Sequence, residues 1–261
     1  MLLAIDAGNT NVVFAVFDGG TKRGHWRIST DARRTSDEYA VWLVALMRMK
    51  GLEPADIDTA VLSSVVPAAT FNLVKLCTDH FGCEPLNVKD PGVDLGLGIR
   101  FDNPREVGAD RIANAVGASA VFAPPLVVLD FGTGTTFDVV DADGNFAGGV
   151  IAPGPNLALD ALHRVAAQLP KVEIRRPQRV IGKSTVEAME SGMFWGYLGM
   201  IEGVLARIKE ELSPTGNPPV TVIATGGLGR IFAEVTALID HYDGDVTLRG
   251  LQLIHARNRP K

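Results

Sequence analysis

Two short strings in this chain pair a carboxylate with a small, polar turn: Asp6-Ala7-Gly8-Asn9-Thr10-Asn11 and Asp130-Phe131-Gly132-Thr133-Gly134-Thr135-Thr136. Each aspartate closes an apolar run. Each turn then offers backbone N–H groups and polar side chains without steric bulk, which is what a phosphate needs at short range. An aspartate so placed suits a hard cation such as Mg²⁺, held through waters while phosphate oxygens take other positions. The plain alternative is a β-hairpin tip whose aspartate caps local amides. Repetition counts against it, because a simple tip needs no second copy of the same chemistry. A third string, Thr225-Gly226-Gly227, lies between an apolar run and a helical stretch, so its backbone could lie flat against a nucleotide. Taken alone, that string is equally a tight strand-to-helix connection. No G-x-x-x-x-G-K-[ST] phosphate loop occurs in the chain.

Periodicity supplies the elements that must hold these strings. Residues 2–5 and 11–17 read as strands joined by the first turn, Asp18-Gly19-Gly20 as a second turn, and 25–28 as a third strand. Helical spacing covers 36–50, with Ser36 as N-cap, Tyr39, Leu43, Leu46 and Met47 on one face, and Gly51 as terminator. A strand at 59–63 and a helix at 68–80 follow. Residues 84–111, rich in glycine and proline, read as a functional loop leading to a small-residue helix at 111–122. After Ala123-Pro124-Pro125 the opening pattern restarts: a strand at 126–129, Asp130, a turn, a strand at 137–141, and a turn at Asp143-Gly144. Asp6 to Asp18 spans 12 positions and Asp130 to Asp143 spans 13, which reads as one added residue. A strand at 146–154, helices at 157–168 and 184–212, a strand at 220–224 and a helix near 230–238 complete the chain. Such self-similarity at long period predicts a duplicated α/β architecture, with domains at 1–117 and 118–261 whose Asp-x-Gly turns face each other.

Composition narrows the function. The chain has 261 residues, 46% of them hydrophobic and 21% charged, and a net charge of −5, which disfavours nonspecific nucleic-acid binding. Cys77 and Cys83 lack a C-x-x-C spacing and read as free thiols of a reducing cytosol. The five histidines lack metal-ligand spacing, so no structural zinc is expected. Without a basic leader or a long apolar run, a cytoplasmic protein independent of membranes is expected.

Six strings, DAGNTN, DNPREVGADR, DFGTGTTFD, GGVIAPG, IGKSTVEAMESG and ATGGLG, stand in this order across nearly the whole chain. Together they resemble type III pantothenate kinase, and the paired Asp-x-Gly hairpins resemble the wider superfamily of acetate and sugar kinases, Hsp70 and actin. The resemblance implies two duplicated RNase H-like domains with the active site in the cleft between them. It implies ATP-dependent phosphorylation of pantothenate to 4'-phosphopantothenate, the first step of coenzyme A biosynthesis. It assigns ATP to Asp6, Ala7, Gly8, Asn9, Thr10, Asn11, Val12, Val13 and Thr133, Mg²⁺ through water to Asp6, and a monovalent cation, K⁺ or NH₄⁺, to Asp130. Gly108, Ala109, Asp110 and Arg111 would receive pantothenate, with Asp110 as proton acceptor and Arg111 as a positive contact. Thr185 matches a substrate-contacting threonine.

Several residues keep a second reading. Asp110 also suits an N-cap of the helix beginning near Arg111, a role compatible with the first. At Phe101 the family usually has tyrosine. Phenylalanine keeps the ring but loses a hydrogen bond of about 0.5–1.5 kcal/mol, roughly two- to tenfold in affinity. Met193, Trp195, Tyr197, Leu198 and Met200 exceed what one helical face needs. They are either core or part of the homodimer contact that the resemblance implies, with pantothenate bound close to it. Two rivals are a small-molecule kinase of other specificity and a noncatalytic accessory relative. Degraded Asp-x-Gly or GADR strings would mark the second, and both are intact.

Overall fold

In the computed structural model, which describes residues 1–165, 170 and 172–259, the opening runs form β1 (Leu2–Ala7), β2 (Asn11–Asp18) and β3 (Thr21–Ser29), an antiparallel meander. β4 (Thr59–Ser64) joins parallel to β1 and β5 (Pro85–Asn87) parallel to β4, giving the order β3-β2-β1-β4-β5. Leu3, Ile5, Val12, Phe14, Val16 and Leu62 alternate onto one face. There they meet Tyr39, Leu43 and Met47 of α1 (Ser36–Arg48) and Leu73 of α2 (Pro67–Lys75). Each such large side chain contributes about 1.5–3 kcal/mol on burial, before the entropy of ordering is set against it.

Local chemistry moves some boundaries. Thr35, not Ser36, caps α1: its hydroxyl accepts the Glu38 N–H while the Glu38 carboxylate accepts the Thr35 N–H at 2.7 Å. The helix expected at 68–80 is α only to Lys75 and continues as a π-helical segment over Leu76–His80. The small-residue helix α3 (Ala109–Ser119) starts and ends earlier than expected, so Asp110 lies inside its first turn and is not its N-cap.

The second half repeats the topology. β6 (Leu126–Phe131), β7 (Gly134–Val140) and β8 (Phe146–Pro153) are antiparallel, β9 (Thr221–Gly226) runs parallel to β6, and β10 (His241–Tyr242) parallel to β9. Read from β8, the order is β8-β7-β6-β9-β10, that of the first sheet. After α4 (Pro155–Val165), α5 (Thr185–Leu212) lays Phe194, Tyr197, Ile201 and Leu205 against Leu129, Phe137, Val222 and Ala224. Phe232 of the short α6 (Gly229–Ala233) stacks on Phe131. Residues 166–168 of the helix expected at 157–168 lie outside the described residues. Strands β5 and β10 are too short to display a period of two, so periodicity along the chain does not reveal them.

The division into units departs from the one the repeat implied. One unit is Met1–Ala118 with Asp245–Lys261, the other Ser119–Gly244. The domain expected at 118–261 therefore gives up its last segment, which includes α7 (Val246–Arg257), a helix the sequence reading did not pick out. α7 packs on β1 and β4. Alternation turns Leu2, Ala4 and Val61 away from α1, and α7 brings Val246, Leu248, Leu251 and Ile254 as buried apolar partners. Glycine sets how closely α3 and α7 approach: a Cβ on Gly250 would stand 1.9 Å from the Ala113 carbonyl oxygen. Thr247 donates to Asn114 at 2.6 Å across the same contact.

Register also revises the internal repeat. Asp6 pairs with Val13 and Asp130 with Thr136, and the bulges fall between Val16 and Phe17 and between Val139 and Val140. Asp18 thus corresponds to Asp141, not Asp143. The second tip is shorter, residues 132–134 against 8–11, and the extra length sits in the closing turn 141–145. There the Asp141 carboxylate accepts the Asp143 and Asn145 N–H groups at 3.0 and 2.9 Å. Among the described residues no helix is long and apolar enough to cross a membrane.

Candidate active site

In the first unit, β1 delivers Asp6 to the sheet end beside Ser63 of β4. The buried Ser63 hydroxyl donates to Asp6 Oδ1 at 2.9 Å, fixing one carboxylate oxygen. The turn closes through the Gly8 N–H to the Asn11 carbonyl at 3.0 Å. Thr30 braces it twice, its hydroxyl donating to the Gly8 carbonyl at 2.6 Å and its N–H to the Thr10 carbonyl at 2.9 Å. Asn9 and Thr10 stand exposed. Ala7 and Val12 bury their side chains in the core, so only their backbone can face a ligand.

The segment Gly108-Ala109-Asp110-Arg111 lies next to that turn. A Cβ on Gly108 would stand 3.5 Å from Val65 Cγ1, and the Val65 N–H donates to the Ala7 carbonyl at 3.0 Å. Asp110 folds back over Gly108: a Cβ there would meet Asp110 Oδ1 at 2.4 Å. Any side chain at 108 would displace the carboxylate. Asp110 Oδ1 also accepts the Arg111 N–H at 2.8 Å. Burial pushes the Asp110 carboxyl above its usual range, while the Arg111 N–H and guanidinium, its own N–H and Lys89 pull it back. The outcome is a carboxylate with a raised affinity for a proton. Arg111 is itself buried, at 8% exposure, where a guanidinium orients a carboxylate or phosphate firmly. Phe101 sits half-buried in the loop before it.

The second unit builds its turn by other means. Asp130 stands next to the end of β6, opposite Thr225 of β9, the register position that Ser63 holds opposite Asp6. Gly226, at φ +82°, leaves room that a Cβ would fill 2.6 Å from the Phe131 carbonyl oxygen and 2.7 Å from Asp130 Oδ1. Two hard oxygens converge there. Gly154 seats under the turn, its N–H donating to the Thr133 carbonyl at 3.0 Å, while Thr133 stands exposed. Buried Thr135 hydrogen-bonds the Tyr197 hydroxyl, which donates on to the Pro153 carbonyl at 2.6 Å. The Gly-Gly loop runs into α6, with Arg230 stacked over Tyr242, 5.1 Å from the ring centre. Thr185 is the exposed first residue of α5, after Ser184, whose hydroxyl accepts the Glu187 N–H at 3.2 Å.

Within the first unit the expected ATP turn and substrate segment come together. Sequence reasoning missed Ser63, Thr30 and Lys89, since only strand pairing and loop packing bring them to the site. Of the apolar set on α5, Tyr197 and Leu198 belong to the core, whereas Met193, Trp195 and Met200 stay half-buried beside the open Gly192, Gly196 and Gly199. Among the described residues, no three His, Cys, Asp or Glu side chains are grouped to hold a metal.

The model of a family described as type III pantothenate kinase matches residues 2–207. The chain is similar to the type III pantothenate kinase of Rhodospirillum centenum, 74% identical over 258 residues and covering 99% of each chain. In fold it is similar to a Sinorhizobium meliloti chain described as a 2-dehydro-3-deoxygalactonokinase, with TM-score 0.62, 12% identity, and 100% of this chain and 98% of that one covered. A Campylobacter jejuni chain described as a Baf family transcriptional activator matches with TM-score 0.60 and 18% identity over 98% of each. At such identities the two structures speak for the fold alone, a two-unit α/β architecture.

Proposed function

This chain belongs to the type III pantothenate kinase family, and on that premise we propose how its residues divide the work. It is a kinase that phosphorylates pantothenate with ATP in coenzyme A biosynthesis. Asp110 is the proton acceptor, and the observation that carries this assignment is its carboxylate, half-buried, raised in proton affinity and fixed over Gly108 beside the Asp6 turn. The primary hydroxyl oxygen of pantothenate attacks the γ-phosphorus of ATP as its proton passes to Asp110. The bond from that phosphorus to the bridging oxygen breaks, and ADP leaves. Phosphoryl transfer asks little more of a protein than positioning and charge neutralisation.

The remaining roles follow the donor chemistry. Residues 6–13 and Thr133 bind the nucleotide through backbone and hydroxyl groups. Mg²⁺ fits Asp6, because a carboxylate anchored at the sheet end suits an ion that keeps its waters and takes phosphate oxygens. A monovalent cation, K⁺ or NH₄⁺, fits the converging oxygens of Asp130 and Phe131 at Gly226. Arg111 and Thr185 orient pantothenate, and Phe101 packs near it. The half-buried Met193, Trp195 and Met200, beside open glycines, support a homodimer contact on α5. A cytoplasmic setting agrees with the free Cys77, whose thiol burial pushes far up and leaves inert.

Coupled ADP release tests the reading. Release that requires pantothenate and ceases in Asp110→Asn is expected. Turnover with a sugar or acetate in place of pantothenate would reject the substrate, and near-normal turnover in the variant would remove Asp110 as base.

A further inference from the structure

Lys89 follows β5 and opens the long loop that ends at Gly108. Its N–H donates to Asn87 Oδ1 at 3.0 Å, an Asx turn that aims the side chain along the loop. The ammonium then donates to the Arg105 carbonyl at 2.6 Å and to the Val107 carbonyl. Those two carbonyls lie three residues and one residue before Gly108, over which the Asp110 carboxylate is folded. A second fastening holds the other end of the loop: the Asp94 N–H donates to Asn258 Oδ1 at 2.8 Å, and Asn258 Nδ2 donates to the Asp94 carbonyl at 2.9 Å. Arg257 adds to it, its guanidinium lying where a Cβ on Gly96 would be 2.3 Å away. The stretch carrying Phe101 is thus suspended between two anchors, one built on the Lys89 ammonium and the other on Asn258 and Arg257.

We propose that Lys89 is a positioning residue for phosphoryl transfer: its ammonium fastens the Arg105 and Val107 carbonyls and so sets where the Gly108–Arg111 segment presents the Asp110 carboxylate to the acceptor hydroxyl. Two hydrogen bonds from one cation to neighbouring carbonyls fix a backbone direction, which a single neutral bond does not. The same cation faces Asp110 electrostatically, together with Arg111 from α3. It thereby favours the ionised carboxylate that a base requires. The placement of Lys89 is read from geometry; its consequence for catalysis rests on Asp110 being the base.

The test compares Lys89→Met, which keeps the stem and removes charge and donors, with Lys89→Arg, in the full-length enzyme. Lys89→Met is expected to lower kcat/KM for pantothenate by about 10- to 100-fold with the KM for ATP within about twofold. The acid limb of its pH profile is expected to move to higher pH, because Asp110 loses a cation that favours ionisation. Lys89→Arg, with charge and donors kept, is expected to recover most of the loss. Parent-like kinetics in Lys89→Met overturn the proposal. So does a loss shared equally by ATP and pantothenate with an unmoved acid limb, since that describes a fold effect. Asp110→Asn measured alongside separates the two assignments: turnover surviving in it sinks the base, whereas a silent Lys89→Met beside a dead Asp110→Asn sinks only the role of Lys89.

Discussion

The Asp6 and Asp130 turns occupy equivalent places in two sheets of the same strand order, yet the groups that meet their carboxylates differ. Around Asp6 the bracing comes from hydroxyls, Ser63 on the carboxylate and Thr30 on the turn. Around Asp130 glycines let backbone approach, Gly226 against the carboxylate and Gly154 beneath Thr133, with the buried Thr135–Tyr197 hydroxyl pair behind them. The Ser63 hydroxyl fixes one oxygen of the Asp6 carboxylate at the sheet end. The glycine at 226 lets two oxygens, those of Asp130 and the Phe131 carbonyl, approach one space. The first unit differs again in housing the Gly108–Arg111 segment, which carries the proposed base Asp110.

The largest effect expected follows from that asymmetry. Asp110→Asn should lower turnover by about 10²- to 10⁴-fold while nucleotide affinity, measured by calorimetry, stays within about twofold. In the parent, kcat/KM should fall as pH drops through a value above the usual carboxylate range, since the base must be ionised. The sign for stability is opposite. A carboxyl raised by folding lends stability in its protonated form, below the ordinary Asp range, and loses it as pH rises through the raised value. At neutral pH the charge is therefore a burden, and Asp110→Asn should raise Tm by about 1–2 °C.

Glycine and hydroxyl bracing separate in the next pair. Gly226→Ala puts a Cβ at positive φ against two oxygens and should lower Tm by about 4 °C or more, with loss of any response to K⁺ or NH₄⁺. Gly8→Ala, whose Cβ would meet nothing closer than the Asn11 carbonyl oxygen at 3.4 Å, should lower it far less. Equal Tm values for the two would end the distinction between the turns. A smaller effect is expected of Thr30→Val, which removes one hydroxyl from the first turn and should raise the KM for ATP about two- to tenfold, read from initial rates. Smallest is Phe101→Tyr, which restores a hydroxyl near the substrate. It should lower the KM for pantothenate by at most about tenfold without changing kcat.

Much of this was legible in the chain. The apolar runs at β1 and β6, the two Asp-x-Gly tips and the small-residue helix carrying Asp110 are local patterns, because strand alternation and turn chemistry are set by neighbours in sequence. The repeat was legible too, although counting residues matched Asp18 with Asp143 where the bulges match it with Asp141. Thr35 in place of Ser36 as cap is the same kind of error. Both residues can cap, and the reciprocal bond with Glu38 decides.

What the sequence by itself determined was the presence, order and chemical type of the strings, since those depend on residue identity and short-range periodicity. Tertiary structure alone decided which residues meet. Ser63 reaches Asp6 because β4 pairs parallel to β1 across 57 positions, Lys89 reaches Val107 across a folded loop, and α7 leaves its sequence neighbours to cover β1. Such contacts arise from burying the second face of a sheet and satisfying distant polar groups, and no local pattern encodes a partner that far along the chain.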